Sequence, residues 1–366
     1  MDLRLNQYWR HNDWLTTLAI LLLLAIGLTQ IYGVALGRGG INLLAFRKQI
    51  IFAAIGLVGY VALSLVDYHR WRSYAPYLYI LALLLLIGVL LFGNSVHGTK
   101  GWFNILGLGI QPVEFVKIIL IISLAAYFSG RTVRLQQFKS FLVGGLAVAI
   151  LVFLVLLQPD FGSALLLIAI WLFLLLAAGF NRKYFYSLII IGFVCAVVGW
   201  LFLFTDIQKN RFRSFINPNY NVSGQSYNIN QAMIAVGSGR LLGRGLGFGS
   251  QTQLKFLPEA QTDFIFAVIA EERGFLGAGL VLLLFAVIIY RVLAALPKVK
   301  DDFGCFVIVG AIGLLATEVF VNLAMNIGLL PVVGLALPLV SYGGSSLIST
   351  LLLLGLINSI IIRSKI

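Results

Sequence analysis

Long runs of apolar residues, separated by short polar stretches, make up most of the chain. A helix needs about 20 consecutive, mainly apolar residues to cross a bilayer. The pattern therefore predicts an all-α polytopic integral membrane protein with about ten transmembrane helices. The predicted spans are 14–35, 49–66, 76–92, 112–129, 140–158, 161–180, 184–204, 263–293, 304–328 and 340–362.

Polar residues interrupt the pattern at two places. Only Gln158-Pro159-Asp160 separates the fifth run from the sixth, so this pair forms either a tight hairpin or a broken helix. The eighth run is too long for one simple span and is interrupted by Glu271-Glu272-Arg273-Gly274. We expect it to tilt, to bend or to begin outside the bilayer.

The composition agrees with a membrane protein. Of the 366 residues, 60% are apolar and 11% are charged, and the mean hydropathy is +1.00. Soluble domains carry about 25% charged residues, so a soluble globular enzyme and a disordered chain are both excluded. The first apolar run is longer than the core of a signal peptide and lacks a clear cleavage site. We therefore expect it to be retained as the first transmembrane helix.

The distribution of basic residues predicts the orientation. The formal net charge is +13, from 26 Lys and Arg residues against 13 Asp and Glu residues. Ten spans place both termini on one side, and if that side is cytoplasmic, the inner segments hold fourteen basic residues and the short outer loops hold four. Because membrane proteins collect Lys and Arg in cytoplasmic loops, we expect cytoplasmic termini and no nucleic-acid partner.

One outer connection, residues 205–262, is much longer than the others within an otherwise single membrane domain covering 1–366. It is either an ordinary solvated loop or a basic surface that attracts an anionic substrate. Its glycines match no nucleotide-binding motif, but they permit tight turns or a close approach of the backbone to a ligand. Its basic residues are Lys209, Arg211, Arg213, Arg240, Arg244 and Lys255.

Ionisable residues inside the predicted spans are candidates for function, because they are costly in a bilayer. Glu114 and Lys117 are three residues apart and share a helix face, where they form either a structural ion pair or part of a polar cavity. Asp160 follows Pro159 at a predicted helix start and is either a helix cap or a functional group. Glu318 lies in the ninth run, and the sequence assigns it no partner.

Asp263 is the strongest single candidate for catalysis. It begins the eighth run, and we expect Thr262 to cap that helix and to place Asp263 in its first turn. The helix dipole favours an ionised carboxylate at that position. Asp263 then either has no role beyond stabilising the helix through its dipole, or acts in catalysis by taking a proton from a hydroxyl. The three histidines, His11, His69 and His97, are scattered, so a hydrolase triad and a histidine-based metal site are poorly supported.

Four blocks follow one another along the chain: QPVEFVK at 111–117, QPDFGS at 158–163, LPEAQTDFIFA at 257–267 with Glu271-Glu272, and GLLP at 328–331 with LPLVSYGGS at 337–345. They resemble the hallmark motifs of the SEDS family of membrane proteins, and the elongation-type members resemble the chain most. Three departures from the family pattern, at Gly101, Val113 and Arg273-Gly274, lie outside the block that contains Asp263.

The resemblance implies a peptidoglycan glycosyltransferase that polymerises lipid II, a disaccharide-pentapeptide on undecaprenyl pyrophosphate, at the outer face of the bacterial cytoplasmic membrane. The family's essential aspartate matches Asp263, its fourth-helix Glu and Lys match Glu114 and Lys117, and its QPD aspartate matches Asp160. The resemblance also implies a class B penicillin-binding protein, a transpeptidase, as a partner within the membrane.

The chemistry that follows is an inverting displacement, because an α-linked glycosyl pyrophosphate gives a β-1,4 linkage. Asp263 is predicted to act as the general base or to position the acceptor hydroxyl. We expect no organic cofactor, and a divalent cation (Mg or Mn) or basic groups would stabilise the pyrophosphate leaving group. The predicted substrate-binding residues are Arg47, Lys48, Lys100, Arg211, Arg213, Lys255, Glu259, Thr262 and Ser341.

Other functions remain open from the sequence. Intramembrane charges, many glycines and broken helices are also typical of an alternating-access carrier, so a lipid II flippase is one alternative. A division-type polymerase of the same family is a second. A non-catalytic scaffold that recruits the transpeptidase is a third, and it leaves Asp263, Glu114 and Lys117 without a purpose.

Overall fold

The structure is a computed structural model of the chain. It describes residues 10–36, 43–96, 98–105, 108–130, 138–180, 206–216 and 225–365, together with scattered positions between 183 and 203. The helices within these residues, in chain order, are α1 (Trp14–Ala35), α2 (Leu44–Leu65), α3 (His69–Phe92), α4 (Pro112–Ser129), α5 (Phe138–Leu156), α6 (Phe161–Ala177), α7 (Asp206–Ile216), α8 (Gln225–Ser238), α9 (Ser250–Gln253), α10 (Ile265–Ala295), α11 (Asp302–Asn326) and α12 (Gly344–Ser364).

Eight of the described helices, α1–α5 and α10–α12, are long and apolar enough to cross a membrane. They overlap eight of the ten predicted spans, and the shorter apolar helix α6 overlaps a ninth. The remaining predicted span, 184–204, is described only at scattered positions. The prediction of an all-α polytopic membrane protein is therefore confirmed.

Helices α2 and α3 begin earlier than the apolar pattern predicted. Arg47 and Lys48 fall in the first turns of α2, and Arg70 and Arg72 fall in the first turn of α3. Basic side chains end an apolar run, but their long stems allow the charged groups to reach water from a helix end. The apolar run thus marks the part of each helix inside the hydrocarbon layer rather than the whole helix.

Two connections carry structure that the apolar pattern did not predict. Strands β1 (Asn94–Val96), β2 (Thr99–Ile105) and β3 (Leu108–Ile110) form a small antiparallel sheet between α3 and α4, in the order β1-β2-β3. The long connection 205–262 contains the helices α7, α8 and α9, and α8 packs against α10 and α11. Short strands and partly polar helices leave no long apolar run in a sequence.

Close packing of α12 against α2 depends on glycines at the crossing. A Cβ atom on Gly355 would lie 2.6 Å from the backbone oxygen of Tyr60, so the two helix backbones nearly touch. Gly56 likewise faces the side chain of Leu351. Small residues that let backbones approach are the usual basis of helix association in membranes.

Helices α1 and α10 run antiparallel, which defines the two ends of the bundle. Arg291, near the end of α10, donates hydrogen bonds of 3.1 and 2.9 Å to the carboxylate of Asp13, just before α1. At the opposite end of the pair, Gln30 of α1 donates to the carboxylate of Glu272. We refer to the Asp13 end and the Asp263 end of the bundle.

The eighth predicted span is a broken helix, as its interruption indicated. Gly274, inside α10, has φ of +66° and ψ of −166°, which are not helical. The break leaves backbone groups without helical partners, and the glycine-rich segment 239–249 binds them. The bonds run from Phe275 N–H to Arg240 O (2.8 Å), Leu276 N–H to Leu241 O (3.2 Å), Arg244 N–H to Glu271 O (3.0 Å) and Gly245 N–H to Glu272 O (2.9 Å).

Glu271 and Glu272 lie beside this break and are buried. The carboxylate of Glu271 accepts hydrogen bonds from the Ser250 hydroxyl, the Gln251 N–H and the Thr252 hydroxyl, at 3.0–3.2 Å. It therefore holds the start of α9 against α10. The two glutamates therefore bind the segment 239–253 to the broken helix.

We expect Gly243→Ala to destabilise the protein. Gly243 has φ of +82°, and a Cβ atom would lie 2.3 Å from the backbone oxygen of Glu272. Left-handed backbone at a non-glycine residue costs about 1–3 kcal/mol before the collision is counted. A lowered thermal midpoint in detergent would show this effect.

Gly279→Ala is the matched control, because Gly279 lies in α10, the helix that Gly243 contacts, and nothing lies within 4 Å of an added Cβ. Alanine favours a helix over glycine, so this variant should unfold at the wild-type temperature or slightly above it. Equal midpoints for the two variants would contradict the close approach described here.

Candidate active site

A buried cluster of three charges lies between α4 and α11. The ammonium of Lys117 is 2.8 Å from Glu114 Oε2 and 2.6 Å from Glu318 Oε1. All three residues are less than 8% exposed. Glu318, to which the sequence assigned no partner, thus binds the same lysine as Glu114.

Helix geometry and the bilayer together explain this cluster. Pro112 begins α4, which places Glu114 in the first turn and Lys117 one turn further on the same face. A lone buried charge is very costly in a membrane, so intramembrane ions pair with one another. Ser349 of α12 adds a hydrogen bond of 3.2 Å from its hydroxyl to Glu114.

One face of α11 carries polar residues from this cluster towards Asp263. Glu318, Asn322 and Asn326 follow one another at four-residue spacing, so they share that face. The side-chain amides of Asn322 and Asn326 each donate a hydrogen bond of 3.0 Å to the backbone oxygen of Asp263. Asn322 also donates to the backbone oxygen of Leu335, at 2.7 Å. Sequence reasoning missed both asparagines, although their spacing from Glu318 was visible.

Three serines at four-residue spacing make a second polar row at the start of α12. The hydroxyl of Ser341 donates to the backbone oxygen of Thr262 at 2.6 Å. The hydroxyl of Ser345 accepts from the Gln111 N–H at 2.9 Å, and Ser349 binds Glu114. Of the three, only Ser341 was predicted from the sequence as a site residue.

Asp263 lies before α10 rather than in its first turn, which corrects the prediction. The helix begins at Ile265, and Thr262 binds Glu259 through hydrogen bonds of 3.2 and 2.9 Å instead of capping α10. Asn326 supplies the cap from α11, because its side-chain oxygen accepts from the Ala267 N–H at 3.1 Å. A partner from another helix satisfied the free N–H, so no local cap was needed.

The backbone around Asp263 is held on both sides. The Tyr342 N–H donates to the backbone oxygen of Gln261 at 2.8 Å, and Ser341 and the two asparagines bind the next two carbonyl oxygens. Asp263 as a residue is half-buried, and a Cβ on Gly334 would lie 3.8 Å from its Oδ2.

Strained backbone is concentrated in the segments around Asp263. Lys255, Glu259 and Leu339 have φ values of +58°, +53° and +64°. Non-glycine residues rarely adopt such values, and they persist only where surrounding structure enforces them. Such strain often marks functional sites.

Asp160 is both a helix cap and a part of this polar network. Its carboxylate accepts hydrogen bonds from the Ser163 N–H at 2.9 Å and from the Ser163 hydroxyl at 2.7 Å. Asp160 therefore caps α6, which was one of the two roles that the sequence predicted for it. The side-chain amide of Gln111 also donates to it, at 3.1 Å. Because Gln111 precedes α4, this bond connects Asp160 to the helix that carries Glu114 and Lys117.

The predicted substrate-binding basic residues are spread over several elements. Arg47 and Lys48 lie at the start of α2, next to Gln49, whose amide donates to the backbone oxygen of Ser341 at 3.0 Å. Lys100 is exposed on β2, and Lys255 and Glu259 are exposed in the turn before Asp263. Arg213 is exposed on α7, whereas the side chain of Arg211, on the same helix, lies outside the described residues.

The described residues contain no group of three His, Cys, Asp or Glu side chains that could hold a metal ion. Mg²⁺ is commonly bound by one or two carboxylates together with substrate phosphates. Asp263 could supply one such carboxylate. A divalent cation stays a prediction.

A family model described as "Cell cycle protein", labelled for FtsW, RodA and SpoVE, matches residues 13–366. Stage V sporulation protein E of Bacillus subtilis is 34% identical over 355 residues, which cover 95% of this chain and 96% of that protein. The peptidoglycan glycosyltransferase MrdB of Escherichia coli is 36% identical over 314 residues, covering 86% and 85%. A probable peptidoglycan glycosyltransferase FtsW of Trichlorobacter lovleyi is 35% identical over 354 residues, covering 93% and 92%.

Two solved structures share the fold. A chain from a study of how a peptidoglycan synthase complex coordinates polymerization and crosslinking superposes with a TM-score of 0.80 and 28% identity, covering 96% of this chain and 98% of that chain. The crystal structure of Thermus thermophilus rod shape determining protein RodA superposes with a TM-score of 0.71 and 28% identity, covering 96% and 97%.

We expect Lys117→Met to destabilise the protein by about 3–5 kcal/mol, because it leaves two buried carboxylates without their counter-charge. The triple variant Lys117→Met/Glu114→Gln/Glu318→Gln removes all three charges and should recover much of that loss. Thermal midpoints in detergent would test both. A triple variant no more stable than the single one would contradict an ion cluster held by mutual charge compensation.

Proposed function

This chain belongs to the SEDS family and is a peptidoglycan glycosyltransferase, and we propose that it polymerises lipid II into β-1,4 glycan strands with Asp263 as the key carboxylate. The family model covers nearly the whole chain, and the relatives align along most of their own length. The expected resemblance to the family is thereby confirmed. The assignment of Asp263 rests on its geometry.

The observation that carries this assignment is that Asp263 is half-buried and lies on a backbone held by neighbouring elements. Glycosyl transfer needs a base, or a positioning group, close to the acceptor 4-hydroxyl as that oxygen attacks the anomeric carbon. Side-chain hydrogen bonds hold the carbonyl oxygens of Thr262 and Asp263 at 2.6–3.0 Å. This reduces the freedom of the carboxylate before substrate arrives.

The reaction is a single inverting displacement. The acceptor oxygen forms a bond to the anomeric carbon of the donor while the bond to the pyrophosphate breaks, and the acceptor proton passes to Asp263. Negative charge builds on the lipid pyrophosphate. Arg47, Lys48, Lys100, Arg213 and Lys255 are the basic side chains that could stabilise it.

Orientation and partner are also part of the proposal. We place both termini in the cytoplasm and the Asp263 end at the outer face of the bacterial cytoplasmic membrane, because basic residues favour the side of the termini. The similar chain from a peptidoglycan synthase complex supports a class B penicillin-binding protein, a transpeptidase, as partner.

The sporulation, division and rod-type relatives are 34–36% identical to this chain, so sequence identity alone favours none of the three subtypes. We assign the elongation type from the motif resemblance.

We expect Asp263→Asn to lower polymerisation of purified lipid II by about 10²–10⁴-fold, the usual contribution of a general base. The wild type should give long strands, and the assay should include a transpeptidase partner that cannot polymerise. Asp67→Asn is the matched control, since Asp67 is an exposed aspartate before α3, at the Asp13 end. Its activity should match the wild type.

The same preparation separates the polymerase from the flippase. Proteoliposomes with lipid II on one side report transport when that lipid becomes accessible on the other side. If Asp263→Asn retained full polymerisation while folded, Asp263 would not be the key carboxylate. If the wild type moved lipid II across the bilayer and formed no polymer with or without the partner, the carrier would replace the polymerase.

We expect Asn326→Ala to lower kcat by about 10–100-fold with a smaller change in KM, because Asn326 positions Asp263 without touching substrate. Asn358→Ala is its control: that buried asparagine donates to Asn12 and Ser64 at 2.9 and 3.0 Å near the Asp13 end. Both variants should lose stability, and only Asn326→Ala should lose kcat per folded molecule. An equal kcat for the two would make Asn326 merely structural.

A further inference from the structure

A cavity of about 380 Å³ lies between α3, α4 and α5, away from the site described above. This volume is typical of a pocket for a small molecule or one chain of a lipid. Buried Leu120 and Leu124 of α4 line it. Most of its other lining is apolar as well, so the cavity is suited to hydrocarbon.

The cavity exists because small residues meet where the three helices converge. Ala75 and Pro76 of α3, Ala126 of α4 and Ala147 of α5 all line it. None of these side chains is long enough to reach the opposite wall. Pro76 also lacks an N–H, so the backbone oxygen of Arg72, one turn earlier, loses its helical partner.

The cavity lies near the Asp13 end and opens to the outside of the bundle. Ser123, in its lining, is nine residues along α4 from Glu114, or about 14 Å at 1.5 Å per residue. Arg72, Pro76 and Val143 line it and are exposed. In a helix that spans a membrane, this exposed side faces lipid.

The distribution of polar groups selects the kind of ligand. Inside the cavity, the Tyr79 hydroxyl donates to Ala147 O at 2.8 Å and the Ser123 hydroxyl donates to Ala75 O at 3.4 Å, so both are engaged. At the mouth, Arg72 forms no ion pair with any carboxylate among the described residues. Exposed Arg70, in the same first turn of α3, and exposed Lys139, at the start of α5, lie at the same end of the bundle.

We propose that this cavity binds an anionic phospholipid from the leaflet on the Asp13 side, with one acyl chain between α3, α4 and α5 and the phosphate at Arg72. Among the described residues that line the cavity, an apolar interior with one cation, Arg72, at the mouth matches an amphiphile with a negative head. A guanidinium binds phosphate oxygens through two parallel hydrogen bonds, which favours Arg72 as the head-group contact. Binding does not depend on the proposed glycosyltransferase activity.

The test is lipid retention by the delipidated protein, measured by native mass spectrometry after adding phosphatidylglycerol or phosphatidylcholine. The wild type should retain phosphatidylglycerol at least about tenfold more tightly. Arg72→Gln should abolish that preference, and Ala147→Leu should reduce retention of both lipids by filling the cavity. Thermal midpoints in lipid-free detergent confirm that each variant folds.

Matched controls come from residues that do not line the cavity. Arg70→Gln removes a neighbouring exposed charge, and Ala149→Leu adds the same bulk to the exposed face of α5. Both should retain phosphatidylglycerol as the wild type does. The proposal is overturned if Arg72→Gln keeps the preference, if Arg70→Gln loses it equally, if Ala147→Leu retains both lipids as the wild type does, or if undecaprenyl phosphate at equal concentration displaces phosphatidylglycerol from the wild type.

Discussion

The architecture at the Asp263 end depends on one buried lysine. Lys117 lies inside a helical bundle, with carboxylate oxygens 2.8 and 2.6 Å from its ammonium. The hydrocarbon of a bilayer supplies no bulk water to solvate such a charge. Each of the three charges is tolerable only while the others stay in place. Helices α4 and α11 are therefore constrained in both distance and rotation, because a helix turned away would leave an uncompensated charge.

That constraint extends to the candidate catalytic carboxylate through helix periodicity. Once Glu318 faces Lys117, the residues four and eight positions later face the same way, and these are the two asparagines that hold the carbonyl oxygen of Asp263. The serine row of α12 repeats the arrangement, from Glu114 back to Thr262. Two polar rows thus extend from a charge cluster inside the bundle to the backbone that carries the Asp263 side chain.

The sequence predicted what depends on local periodicity and missed what depends on contacts between helices. Apolar runs located nine of the described helices, and three-residue spacing paired Glu114 with Lys117, because both signals lie within one segment. The partner of Glu318 is 201 residues away in sequence, so no spacing could indicate it. Thr262 failed as a cap for the same reason: Asn326, from α11, occupies that role.

The broken helix α10 shows how a membrane protein can place irregular backbone next to its functional segment. Backbone groups freed at Gly274 must find partners, since lipid offers none. The segment 239–249 supplies these partners because its backbone lies very close to the backbone of α10. A side chain at Gly243 would prevent that approach. The glycine-rich stretch, for which the sequence left turns or ligand binding open, therefore completes a helix. Along the chain, α9 and residues 254–262 connect this stretch to Asp263, so the segment that completes the broken helix also leads to the candidate carboxylate.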